Sequence, residues 1–185
     1  MKVIYYTATS LDGYIADKNH NLDWLFQFGE EPGAGFDEFL GGIGAIVMGS
    51  STYQWLLDHL GSTAVPAWPY RIPSWIFTTR RLPHPDGADV RFVSGKVEPV
   101  YRAMSEAAGQ KHIWIVGGGD LAGQFYDCGL LNKLIVTIVP VTLGSGAPLL
   151  PRRIHPPLQL QKVQQPGAGF LEVHYTVPAS LSSSE

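Results

Sequence analysis

The stretch from His112 to Leu131, HIWIVGGGDLAGQFYDCGLL, constrains the fold more than any other part of the chain. Four apolar residues lead into Gly117, Gly118 and Gly119, and an amphipathic run follows. This reads as a buried strand passing into a helix through a turn without side chains, the junction from which α/β domains are assembled. A second copy stands upstream in AIVMGSSTYQWL, where a strand passes Gly49 and a helix begins at Ser50 or Ser51 as N-cap, with Gly61 as its stop. Around these junctions strands and helices alternate. KVIYYTATS, SWIFTT, the weaker ADVRFVSG and the long NKLIVTIVPVTLG read as strands, while FDEFLGG and VEPVYRAMSEAAG read as helices ended by glycine. LQLQKVQQPGAGFLEVHYTV reads as two strands around a Pro-Gly-Ala-Gly turn, and SGAPLLPRRIHPP as a loop. The expected fold class is α/β. A single domain over residues 1–178 has a mixed, mostly parallel central sheet flanked by helices and a C-terminal antiparallel hairpin, with 179–185 as a disordered tail.

Composition narrows the function classes. With 185 residues the chain suits one substantial core, and 45% hydrophobic against 16% charged residues argues for a compact globule. A net charge of −3 with no run of Lys or Arg gives nucleic-acid binding little support, so a small-molecule partner is expected. Cys128 stands alone, which excludes an internal disulfide. The six His residues show no i, i+4 pairing, so no metal site is expected. MKVIYYTATS runs straight into a strand without a signal-like hydrophobic region, and no apolar run approaches the roughly 20 residues of a membrane span. A cytoplasmic location is the simplest expectation.

Both junctions carry chemistry as well as geometry. A glycine lets backbone N–H groups approach a ligand, and the first turn of the helix behind it offers unpaired donors at a positive dipole end. Phosphate binds well in such places, and Ser50, Ser51 and Thr52 add hydroxyl donors to the first copy. Many α/β turns use glycine for tight geometry alone, but two copies in one small domain could grip the two phosphates of a dinucleotide. In IFTTRRL, Arg80 and Arg81 follow Thr78 and Thr79 at a strand end, and arginine there is how a protein favours a 2′-phosphate. Gly117, Gly119 and Ala122 also match G-x-G-x-x-A. A Rossmann fingerprint, however, belongs on a first strand with an acid about 20 residues later, and no Asp or Glu occurs between Asp127 and Glu172.

Taken in order, YTATSLDGYIA, AIVMGSSTY, WIFTT, IWIVGGGDLAGQFYDCGLLNKLIVTIVPVTLGSGAPLLP and the final strand pair resemble the dihydrofolate-reductase-like superfamily. They most resemble the C-terminal reductase domain of the bifunctional riboflavin-biosynthesis deaminase-reductase and its stand-alone relatives, from about Lys2 to Val177. The resemblance implies NADPH bound across the strand ends, and often a homodimer. It places Gly49, Ser50, Ser51 and Thr52 on cofactor phosphate, and Thr78, Thr79 and Arg80 around the adenosine 2′-phosphate. Gly117, Gly118, Gly119, Asp120 and Leu121 would contact the pyrophosphate and nicotinamide side, with Ala8, Ile15 and Ala16 near the nicotinamide.

Hydride transfer needs a polarised acceptor and usually a proton donor. Asp12, Asp23, Asp37 and Glu38 are the candidates, with Asp12 and Asp37 foremost; an Asp in SLDG also forms turns, and acids at a helix start are favoured by the dipole. The expected activity is NADPH-dependent reduction of a small heterocycle, similar to that of 5-amino-6-(5-phosphoribosylamino)uracil reductase. Trp24, Phe26, Phe28, Phe36 and Phe39 offer rings on which such a heterocycle could stack. The alternatives are a folate-type reductase and a non-catalytic NADPH- or ligand-binding module. A folate-type acid is not evident, because counting back from Gly49 to its place reaches Gly33, and no Asp-Asp-Pro substrate segment of the riboflavin type precedes Gly49.

Overall fold

The computed structural model of the chain describes residues 1–29, 35–59, 68–167 and 169–179. The expected helix stop at Gly61, Gly33 and the tail beyond 179 lie outside these residues. In chain order the elements are β1 (Val3–Ser10), β2 (Tyr14–Asp17), α1 (Asp23–Phe26), α2 (Phe36–Gly41), β3 (Ile43–Gly49) and α3 (Ser50–His59). There follow β4 (Ser74–Phe77), β5 (Val90–Val93), α4 (Val97–Ala108), β6 (His112–Gly117) and α5 (Gly119–Asp127). The chain closes with β7 (Lys133–Val139), β8 (Gly146–Pro148), β9 (Gln159–Gly167) and β10 (Phe170–Thr176).

Eight strands form one sheet in the order β5-β4-β3-β6-β1-β7-β10-β9. The six from β5 to β7 are parallel, and β10 and β9 add antiparallel strands at one edge. The sequence explains where each strand sits. IGAIVMG in β3 has no polar side chain and is buried over six of its seven residues, as a strand covered on both faces must be. β9, with four Gln and one Lys among its nine residues, is mostly exposed and takes the edge.

Two cores result. On one face α4 and α5 seal Val3, Tyr5, Val47, Ile113, Ile115 and Val136. α4 buries Val97, Met104 and Ala108 along one stripe, and Gly109 stops it at φ 60°. On the other face Ile43, Ile46, Met48, Ile76 and Trp114 pack beneath residues of α2 and α3. Burying each large apolar side chain stabilises the fold by about 1.5–3 kcal/mol.

The sequence reading missed the two-stranded sheet of β2 and β8. GAP has neither β-branched nor aromatic residues, so β8 carries no local strand signal, and its pairing with β2 comes from tertiary contact.

Candidate active site

Parallel strands deliver their chains to one edge of the sheet, and β1, β3 and β6 end there side by side. Met48 on β3 pairs with Gly117 on β6, so the two strand-to-helix junctions are neighbours in space. Crevices at this edge of open α/β sheets are where ligands bind. Three cavities run along it and share walls.

The central cavity, about 270 Å³, is built largely from backbone and small residues: Thr52 of α3, Ile15 and Ala16 of β2, and Gly117, Gly118 and Gly119 between β6 and α5. The three glycines do different things. A Cβ on Gly117 would fall 2.7 Å from Thr52 Oγ1, and one on Gly119 would run into the carbonyl oxygens of Pro148 and Leu149. A Cβ on Gly118 meets nothing within 4 Å. Gly117 and Gly119 therefore let three segments close on one another, while Gly118 leaves the cavity open. The Gly117–Gly118 peptide is cis. No side chain caps α5, so its first-turn N–H donors remain available. The Asp120 carboxylate is turned aside by Gln124 Nε2 at 2.9 Å and Arg152 Nη2 at 3.1 Å, and these bonds hold its carboxyl below the usual range.

A second cavity, about 410 Å³, shares His20, Ser51 and Trp55 with the first and adds Arg80. Thr78 places that arginine: its Oγ1 accepts the Arg80 backbone N–H at 2.9 Å, turning the chain at the end of β4. Trp55 lies flat between Phe26 (5.4 Å between centroids) and His59 (4.2 Å), and its buried indole N–H has no partner among the described residues.

The third cavity, about 480 Å³, meets the central one at Thr7 and Val116. Its walls are rings: Tyr6, Phe26, Phe36, Tyr70, Trp114 and Phe170. Trp114 meets Phe36 and Tyr70 edge-to-face at 5.7 and 5.8 Å, and its indole N–H donates to the Tyr6 carbonyl at 3.0 Å. Among these rings stands one carboxylate, Glu172 of β10, only 5% exposed. Tyr6 Oη donates to it at 2.7 Å, Gln164 Nε2 at 2.6 Å and Thr137 Oγ1 at 3.4 Å, while His174 Nε2 lies 2.6 Å away. Burial alone would raise its pKa, but the bonds from His174, Tyr6 and Gln164 outweigh burial and hold Glu172 below the ordinary carboxylate range. Burial and the Glu172 charge push the Tyr6 phenol up.

Most of the expected cofactor residues meet here. Ile15, Ser51, Thr52, Gly117, Gly118, Gly119 and Asp120 line the central cavity, Arg80 joins Ser51 in the second, and Ala8 lines the third. Gly49, Ser50, Thr78 and Thr79 shape the junctions without lining any of the three. Leu121 is packed into the α5 core at 5% exposure. The acids expected to work on the substrate are elsewhere. Asp12 accepts from Ser10 Oγ at 2.6 Å and from the Gly144 and Leu143 amides at 2.7 and 3.1 Å, and these bonds, Ser10 first, lower its pKa; it fastens the loop after β7 to β1. Asp37 and Glu38 are exposed on α2, and Asp23 is exposed and bonded to Asn21. None of these four acids lines any of the three cavities.

Sequence reasoning passed over Tyr6, Thr137 and Glu172. The available signal was an acid at the centre of the strand FLEVHYT, with His174 two residues on and therefore on the same face.

Sequence and structure comparisons give the family and the fold. The model of the RibD C-terminal domain family matches residues 1–171. The chain belongs to that family. It is 32% identical over 149 residues to the uncharacterized protein YwjB of Bacillus subtilis (strain 168), covering 80% of this chain and 82% of that one. A candidate riboflavin biosynthesis protein from Shewanella sp. PV-4 superposes with a TM-score of 0.78 at 28% identity, over 96% of this chain and 99% of the other. Dihydrofolate reductase from Enterococcus faecalis shares the fold, with a TM-score of 0.59 at 14% identity over 96% and 97% of the two chains. The resemblance read from the motifs thus holds at the level of family and fold, and the domain is reductase-like. Among the described residues no helix is long and apolar enough to cross a membrane, and no group of three or more His, Cys, Asp or Glu could hold a metal ion.

Proposed function

We propose that the chain is an NADPH-dependent reductase acting on a small flat heterocycle of the pyrimidine type. The observation that carries this reading is the meeting of the glycine-lined and aromatic cavities at Thr7 and Val116. One cavity offers open backbone and helix-start donors; the other offers rings and a single buried acid. The residues present fit a dinucleotide. Gly118 leaves space, the uncapped start of α5 and Thr52 suit its phosphates, and Arg80 beside Ser51 suits a 2′-phosphate. The cofactor, when bound, supplies a hydride. The protein's own residues do the rest. The rings of the aromatic cavity hold the heterocycle by stacking and exclude water, and the Glu172 carboxylate sets a negative charge against the heterocycle that fixes its orientation. Tyr6 and Thr137 lock that carboxylate in place. Asp12 and Asp37 take no part in the reaction. A folate-type reading is weaker, because the acid in the aromatic cavity comes from β10 and not from α2.

A homodimer accompanies this reading. Leu11, Leu160, Val163 and Leu171 are 66%, 55%, 51% and 40% exposed, and the last three lie on the antiparallel edge strands β9 and β10, an apolar surface suited to a second copy.

The test mixes the chain with NADPH and 5-amino-6-(5-phosphoribosylamino)uracil, plus related uracils and pterins, and follows loss of reduced nicotinamide absorbance. Substrate-dependent, saturable oxidation is expected with a uracil. No oxidation with any of them overturns the proposal.

A further inference from the structure

A fourth cavity, about 420 Å³, lies at the other end of the strands. Lys2 immediately precedes β1, His112 opens β6 and Lys133 opens β7, so all three stand where parallel strands begin, away from the edge that carries the reductase cavities. The hairpin brings Lys162 and the imidazole of His174 to the same wall, because His174 on β10 is the direct cross-strand partner of Lys162 on β9. Gln164, two residues along β9 from Lys162, adds an amide.

Among the described residues the charge in this cavity is unbalanced. Three lysines there face two carboxylates, Glu38 and Glu172, and the Glu172 oxygens accept from Tyr6, Thr137, Gln164 and His174. None of the three lysines makes an ion pair among the described residues. His112 Nδ1 is buried without a hydrogen-bond partner there. Burial together with Lys2 and Lys162 lowers the Lys133 pKa against the opposing pull of Glu172, and burial together with neighbouring positive charges lowers that of His112. Lysines that outnumber the carboxylates of a concave site concentrate an anion there, and lysine ammonium groups bind phosphate as point charges.

We propose that this cavity is an anion site that takes the phosphate group of a small phosphorylated molecule among Lys2, Lys133 and Lys162. Its volume falls within the roughly 300–1,000 Å³ of small-molecule sites and leaves room for an organic part beyond the phosphate. The site goes beyond the reductase reading and does not depend on it. Tyr6 and Glu172 line both this cavity and the aromatic one, so an anion here lies one side chain away from the substrate wall.

The test is calorimetric titration of the full chain with inorganic phosphate and with glycerol 3-phosphate, against sodium chloride at matched ionic strength. One saturable site is expected. Lys133→Gln and Lys162→Gln should each weaken it by about tenfold or more, while Arg80→Gln, in the cofactor region, should change it by less than about twofold. Lys162 is exposed, so its variant keeps the test open should Lys133→Gln fail to fold. The imidazole nitrogen resonances of His112 and His174 should shift with phosphate in parallel. Absence of saturable binding overturns the proposal. So does binding that survives both lysine changes and disappears with Arg80→Gln, which would put the phosphate in the cofactor cavities. NADPH binding, measured separately, stands or falls without reference to this result.

Discussion

The glycine-lined and aromatic cavities share a wall at Thr7 and Val116 yet are made in opposite ways. The first is made by chain path: two adjacent strand-to-helix junctions, glycines that permit close packing, and a helix start without a side-chain cap. The second is made by side chains from β1, β6, β7 and β10 with rings from α1, α2 and Tyr70, and its one acid holds its place through residues 6, 137, 164 and 174. A cofactor site built from backbone can be held constant while an adjoining side-chain site is altered to suit a different substrate.

That contrast can be broken at its side-chain half first, where the largest effect is expected. Glu172→Gln keeps shape and removes charge, so reduction of the substrate should fall about 100-fold, roughly 2.7 kcal/mol, with NADPH affinity within about twofold of the parent. Steady-state kinetics beside a cofactor titration check this. Equal loss of both would mean the two cavities do not work separately.

Next come the glycines. Gly119→Ala forces a Cβ against the Pro148 and Leu149 carbonyls and should lower stability by about 2 kcal/mol in a urea titration. Gly118→Ala meets nothing, so stability should move by less than about 0.5 kcal/mol while NADPH binding weakens, because the added methyl projects into the cavity. Similar stability losses at both positions would contradict the division of labour among the glycines.

"IVGGGD", "VMGSST" and "FTTR" are contiguous, and each carries its local geometry with it, so strands, turns and helix starts could be read residue by residue. Glu172 could not be found that way. Its partners Tyr6 and Thr137 lie 166 and 35 residues away in the chain, and only the pairing of β10 with β7 brings Thr137 opposite it. Asp12 drew attention for the converse reason. An acid in SLDG satisfies turn chemistry and catalytic chemistry equally well, and what decides is the loop at Leu143 and Gly144 that arrives from the far end of the chain. β8 was invisible because a three-residue strand of Gly, Ala and Pro has no period of its own.

A smaller effect concerns acid. The folded pKa of Glu172 is depressed, so its contribution to stability is present above the ordinary glutamate range and is lost as pH falls through the folded value. Melting temperatures of the parent and Glu172→Gln measured from about pH 7 to about pH 3 should therefore converge at the acidic end. A gap that stays constant across that range would mean the carboxylate is not held ionised by Tyr6, Gln164 and His174.

Whether the glycine-lined cavity and its Arg80 extension form one NADPH site is decided by titrating NADPH and NADH into the chain and into Arg80→Ala. Saturable NADPH binding, weaker NADH binding, and a loss of about tenfold for NADPH alone on removing the arginine are expected. If neither nucleotide binds, or if the substitution weakens both equally, the two cavities do not form that site.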